Sequence, residues 1–105
     1  MLADKVVHEA AISAVQYQES SIVSRQLIKK PNGNITLFAF AKGESLTEHS
    51  SPYDAVVQII DGSMEITIGG VPYIVKAGEF LIMPANIPHG LRADENAKMI
   101  LTMIK

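Results

Sequence analysis

The sequence predicts an all-β, single-domain protein, a β-sandwich or barrel, from three observations. Of its 105 residues, 48% are hydrophobic and 19% charged, a globular balance that at roughly 100–150 residues per domain fills one core and not two. From Ser21 onward, short runs rich in Val, Ile and Phe are separated by Gly, Pro, Asn and Asp at the spacing of strands and turns. Met64, Ile66 and Ile68 alternate with Glu65 and Thr67, then Gly69-Gly70 interrupts and Val71, Tyr73 and Val75 resume the alternation, the pattern of a tight hairpin.

The elements follow in order. Ser21 to Ile28 is rich in β-branched residues and ends at the turn cluster Lys29-Lys30-Pro31-Asn32-Gly33. Asn34 to Ala41 is apolar at almost every position, which predicts a strand covered on both faces. Lys42-Gly43-Glu44-Ser45 breaks it, and Ala55 to Ile60 is the next strand, closed by Asp61-Gly62. After the hairpin, Lys76-Ala77-Gly78-Glu79 turns the chain into Phe80 to Met83, which Pro84 stops. Strands near Gly90 to Ala93 and from Lys98 to Ile104 complete the set. The first 20 residues read two ways: Val6, Val7, Ala10 and Ala11 as a short helical stripe, and Ala14-Val15-Gln16-Tyr17 as a strand.

Composition removes several function classes. The net charge of −2 offers no basic field for nucleic acid or an anionic membrane. Cysteine is absent, which excludes disulfides, thiol catalysis and cysteine-ligated zinc. The N-terminal residues Met1 to Glu9 carry charges where a signal peptide needs an apolar run, and no run approaches the roughly 20 residues of a membrane span. A cytoplasmic protein is the expectation.

Two segments carry a motif. Gly43-Glu44-Ser45-Leu46-Thr47-Glu48-His49 is followed thirteen residues later by Gly62, and after the hairpin comes Gly78-Glu79-Phe80-Leu81-Ile82-Met83-Pro84-Ala85-Asn86-Ile87-Pro88-His89. This pair resembles the two motifs of the cupin family over about residues 43–93. The resemblance implies a double-stranded β-helix of the jelly-roll type, here a small cupin of the conserved-barrel type, occupying 1–105 as one domain. It also implies a homodimer, and the unpaired edges of an open sheet agree with that. Cupins typically hold a divalent transition metal (iron, manganese, nickel, copper or zinc) on three histidines and a glutamate. On that pattern His49 and His89 are retained, Ser51 stands at the second histidine and Ala55 at the glutamate, while Asn86 replaces the motif glycine and Ala93 an asparagine.

Two imidazoles alone hold a divalent ion weakly, since first-row metal sites usually take three protein ligands. The implied cofactor is therefore a loosely held metal or none. In a regular strand His49, Ser51, Tyr53 and Ala55 share one face and Asp54 takes the other. A one-residue bulge at Pro52 would instead turn Asp54 inward as a third ligand. The candidate ligand-binding residues are thus His49, Ser51, Tyr53 and His89, the metal candidates His49, His89 and Asp54. Ser51 suits an organic ligand or water better than a metal, His8 is read as surface, and the methionines as core filler. The functional expectations are a small-molecule binding barrel, a metal-dependent enzyme of the dioxygenase, isomerase or decarboxylase type, or a structural or regulatory subunit with no pocket ligand. Nucleic acid and membrane are not expected partners.

Overall fold

The structure, a computed structural model, describes residues 4–105. Nine strands run in chain order: β1 (Ile22–Lys30), β2 (Gly33–Phe40), β3 (Ser45–His49), β4 (Asp54–Asp61), β5 (Ser63–Ile68), β6 (Val71–Lys76), β7 (Phe80–Met83), β8 (His89–Arg92) and β9 (Ala97–Ile104). They form a five-stranded sheet in the order β1-β2-β9-β4-β7 and a four-stranded sheet in the order β3-β8-β5-β6, every pairing antiparallel. This is the jelly-roll architecture that the motif spacing implied.

Side-chain alternation sorts each strand between the sheets. Along β4, Ala55, Val57 and Ile59 are buried while Asp54 and Gln58 are exposed. Met64 and Ile66 of β5, Leu91 of β8 and Met99 of β9 meet them to form the main core. The two-faced apolarity of β2 has a direct cause. Phe40 joins that core from the inner face, whereas Leu37 and Ala39 point outward into a second cluster with Val15. The β5–β6 hairpin turns on Gly69 and Gly70 at φ 55° and 84°, the left-handed pair that an antiparallel two-residue turn requires.

The N-terminal segment that covers the second cluster is neither a helical stripe nor a strand. Ala11–Ser13 form a 3-10 turn, and Val6 is 97% exposed; Met1 to Ala3 of the predicted segment lie outside the described residues. Side chains hold it down where a ladder was expected. Arg25 donates to both carboxylate oxygens of Glu9, at 2.7 Å each, and to the Ala14 carbonyl at 3.0 Å. The hydrogen bond from Arg25 keeps the Glu9 carboxyl below its usual range. Tyr17 donates to Asp61 Oδ2 at 2.6 Å, and Lys98 lies over the Tyr17 ring while donating to the Ile12 carbonyl. Burial and the Asp61 carboxylate together push the Tyr17 phenol well up. An edge supplied by polar anchors needs no sequence periodicity, which is why the segment read two ways.

Candidate functional site

The two retained histidines meet. β3 and β8 are neighbours in the smaller sheet, and His49 lies directly opposite His89 in their register. Leu46 pairs with Leu91 and His49 with His89, so β3 spends three steps where β8 spends two. That extra residue is a β-bulge, which re-aims a side chain by one position. Leu46 and His49, an odd number of residues apart, therefore both reach the cavity. The polar run Thr47-Glu48 hid β3 from sequence patterning, because alternation marks strands through their apolar face.

The rings stand edge to face, centroids 4.4 Å apart and planes 64° apart. His89 is buried at 7% exposure, and His49 is exposed at the cavity rim. Each Nδ1 contacts the carbonyl two residues before it: His49 reaches Thr47 at 2.9 Å and His89 reaches Ile87 at 3.3 Å. A carbonyl oxygen only accepts, so each contact is made with the proton on Nδ1, and in the neutral form of the ring the lone pair is then on Nε2. Neither Nε2 has a hydrogen-bond partner among the described residues. Backbone carbonyls bonded to the far ring nitrogen are also what fixes tautomer and orientation in metal-ligating histidines.

The loops around the pair hold each other. The Asn86 backbone N–H donates to the Ser51 carbonyl at 2.7 Å, joining the 84–88 loop to the 50–53 loop. Asn86 sits at φ 67°. It supplies the left-handed backbone for which the family motif uses glycine, and asparagine is among the few residues that tolerate it. Ser51 Oγ accepts from the Tyr53 N–H at 3.2 Å, which leaves its own hydrogen free to donate. Tyr53 stands at the mouth, half exposed, with Lys105 Nζ 5.5 Å from its ring centre.

His49, Ser51, Tyr53 and His89 thus line one cavity of about 60 Å³, with Ala55 in its wall. Asp54 does not join them. Its carboxylate is exposed and accepts the Ala85 N–H at 2.9 Å on the outer side of β4. The reason is where the extra residue falls. It sits between Leu46 and His49, and after Pro52 strand β4 starts with Asp54 out and Ala55 in. Among the described residues no cluster of three histidine, cysteine, aspartate or glutamate side chains could hold a metal. The set of three histidines and a glutamate is therefore not present, and the donors on hand do not fit a tightly held divalent ion.

The rest of the wall is apolar and was not foreseen as site. It includes Phe38, Met83, Met99, Leu101 and Met103. Met83 and Met103 are the two cross-strand partners of Ala55, one on β7 and one on β9. No pattern within one strand could show that, since the juxtaposition spans three strands.

The cupin domain profile matches residues 36–105. The chain belongs to the cupin family. It is similar to a conserved protein of unknown function from Streptococcus pyogenes, 39% identical, covering 96% of this chain and 87% of that one, with a TM-score of 0.89. It is also similar to a cupin 2 conserved barrel domain protein from Leptotrichia buccalis, 46% identical, over 90% of this chain and 46% of that one, with a TM-score of 0.87. A 72-residue stretch is 29% identical to the polyketide synthase CurC of Streptomyces cyaneus, covering 66% of this chain and 47% of that protein. The chain thus spans about half the length of the curated relative it matches. No helix among the described residues is long and apolar enough to cross a membrane.

Proposed function

We propose that this cupin binds a small ligand inside its barrel, held by His49 and His89, with any divalent metal at the pair bound only weakly. The observation that carries this reading is the orientation of the two rings. Both Nδ1 atoms are committed to backbone carbonyls, and both Nε2 lone pairs are left unused beside an otherwise apolar cavity. Neither Nε2 takes a protein partner among the described residues, so a ligand that donates to it adds a hydrogen bond that the protein does not supply. Ser51 and Tyr53 add hydroxyls at the rim.

The cavity volume limits the ligand. Pockets for drug-sized molecules run about 300–1,000 Å³, several times the roughly 60 Å³ here. The occupant is an ion, a molecule of a few heavy atoms, or the end of a longer one that leaves past His49 and Tyr53. A second copy of the chain is the expected macromolecular partner: β7 is an edge strand of the large sheet, and it exposes Phe80 and Ile82.

The test combines elemental analysis of tag-free protein with histidine side-chain NMR during titration with small carboxylates, amides and alcohols. Shifts confined to the His49 and His89 rings, lost in His89→Ala, support the binding reading. Near-stoichiometric metal that vanishes in both His49→Ala and His89→Ala moves the conclusion to a metal-dependent enzyme. Rings unmoved by every metal and molecule leave a structural or regulatory subunit.

A further inference from the structure

The outer face of the larger sheet carries a second cavity. Arg25 of β1 pairs with Leu37 of β2, and Leu37 pairs with Ile100 of β9. Paired residues on adjacent strands direct their side chains to the same face, so the three form one row across the sheet. The β1–β2 register slips between Gln26 and Ile28, and this bulge brings Leu27 and Ile28, neighbours in sequence, into the same cavity wall. Val7 and Ala14 of the N-terminal segment line it too. The cavity measures about 300 Å³, against about 60 Å³ between the sheets, and the two share no lining residue.

The charged side chains of this lining are Lys5, Glu9 and Arg25, one positive charge in excess. Glu9 takes only one edge of the Arg25 guanidinium. Nη1 and Nη2 each give a hydrogen to the Glu9 carboxylate, and Nη1 gives another to the Ala14 carbonyl. Nε–H and the second Nη2 hydrogen, side by side on the guanidinium, have no partner among the described residues. Two parallel N–H groups are what a carboxylate accepts bidentately.

We propose that this outer cavity binds a free medium-chain carboxylate, its alkyl chain against Leu27, Ile28, Leu37 and Ile100 and its carboxylate on the unshared edge of Arg25. The site is separate from the barrel interior and does not depend on the histidines. Its volume lies at the lower end of small-molecule pockets, about 300–1,000 Å³. At about 30 Å³ for each water-sized group, it takes roughly ten non-hydrogen atoms, the number in octanoate. A carboxylate also balances the positive charge left over on the lining, and each methylene buried tightens binding by about fourfold.

The test titrates the full chain at neutral pH with octanoate, hexanoate and 1-octanol, following side-chain resonances by NMR and affinity by calorimetry. Octanoate is expected to saturate with a dissociation constant below about 1 mM. It should shift the methyl resonances of Leu27, Ile28, Leu37 and Ile100 and leave the His49 and His89 rings in place. Hexanoate should bind several-fold weaker. The alcohol, the same chain without the charge, should bind at least about tenfold weaker, and Arg25→Gln should bring octanoate down to that level. Arg25→Gln also releases Glu9, so Ala14→Leu, which keeps Arg25 and puts bulk into the cavity, is the second variant. It should abolish the octanoate shifts while its melting curve matches the parent's. The proposal is overturned by no saturation at that level, by octanoate shifting the histidine rings and not the outer methyls, or by 1-octanol binding as tightly as octanoate. A folded Arg25→Gln or Ala14→Leu variant that holds octanoate as tightly as the parent overturns it too. Its failure leaves the barrel reading standing, because the two cavities have no residue in common.

Discussion

Replacing Ala55 with glutamate tests whether the imidazoles and the opposite wall converge on one point. Ala55 is 4% exposed and faces the cavity between Met83 and Met103. In the metal-free protein, Ala55→Glu places a carboxylate in an apolar wall. Even at the low end, about 2 kcal/mol for burying an incompletely paired polar group, the melting temperature should fall by roughly 8–16 °C. A divalent ion reverses the sign. Structural zinc sites gain about 10–16 kcal/mol from four ligands, roughly 3 kcal/mol each, so a third ligand is expected to tighten Zn(II) or Mn(II) by about a hundredfold. Thermal melts across a metal titration, with calorimetry for affinity, read both effects from one sample. Ala55→Gln is the control, since it brings nearly the same bulk without the charge and should lose stability with little metal gain. Equal metal affinity in Ala55→Glu and the parent would refute the convergence, because a side chain at that position would then not reach an ion held by the rings.

Three further outcomes follow from the described contacts. A Cβ at Gly62, already at φ 70°, would overlap the Asn96 carbonyl oxygen, whereas one at Gly43, at φ 90°, meets nothing within 4 Å. Gly43→Ala should therefore cost only the left-handed strain, about 1–2 kcal/mol, and Gly62→Ala more than about 3 kcal/mol in urea denaturation; equal losses would put the whole cost in the backbone angle. Tyr17→Phe removes the donor to the half-buried Asp61 carboxylate and should cost about 1–3 kcal/mol by the same measurement. The Glu9 carboxyl is held below its ordinary value of 4.5 by Arg25, so its contribution is present above about pH 4.5 and lost as pH falls through the lowered value. Hydrogen exchange over residues 5–14 should accelerate in acid before the strands do, and Glu9→Gln should show the fast rate already at neutral pH.

What was legible in the sequence, and what was not, divides along physical lines. Strands with one wet and one dry face, such as Ser63–Ile68, announce themselves because burial repeats every second residue. β2 was legible as covered on both faces because its outward residues Leu37 and Ala39 are as apolar as its inward ones. The placement of His49 and His89 on one cavity came from the motif spacing, since that spacing reflects strand lengths and turns. β3 stayed hidden because four of its five residues are exposed, and its bulge leaves no mark in composition. The N-terminal segment misled because the Arg25–Glu9 salt bridge and the Tyr17–Asp61 hydrogen bond anchor it, and neither has a period. Met83 and Met103 read as core filler, and Met83 is buried in the core whereas Met103 is half-buried outside it; their position beside Ala55 exists only after β7, β4 and β9 are in register.

The two sheets divide the work of the site. The smaller sheet presents the imidazoles, with His49 and His89 paired on β3 and β8 and each ring tied to the backbone carbonyl two residues before it. The larger sheet presents the facing wall, with Met83, Ala55 and Met103 side by side on β7, β4 and β9. Those three positions are held by backbone ladders that do not depend on the identity of the side chain. The side chains at those positions set which ion or molecule that wall prefers without disturbing how the histidines are aimed. Donor chemistry on the larger sheet is therefore independent of the ring geometry on the smaller one, and in this chain His49 stays paired with His89 while Ala55 stands at the position of the family glutamate.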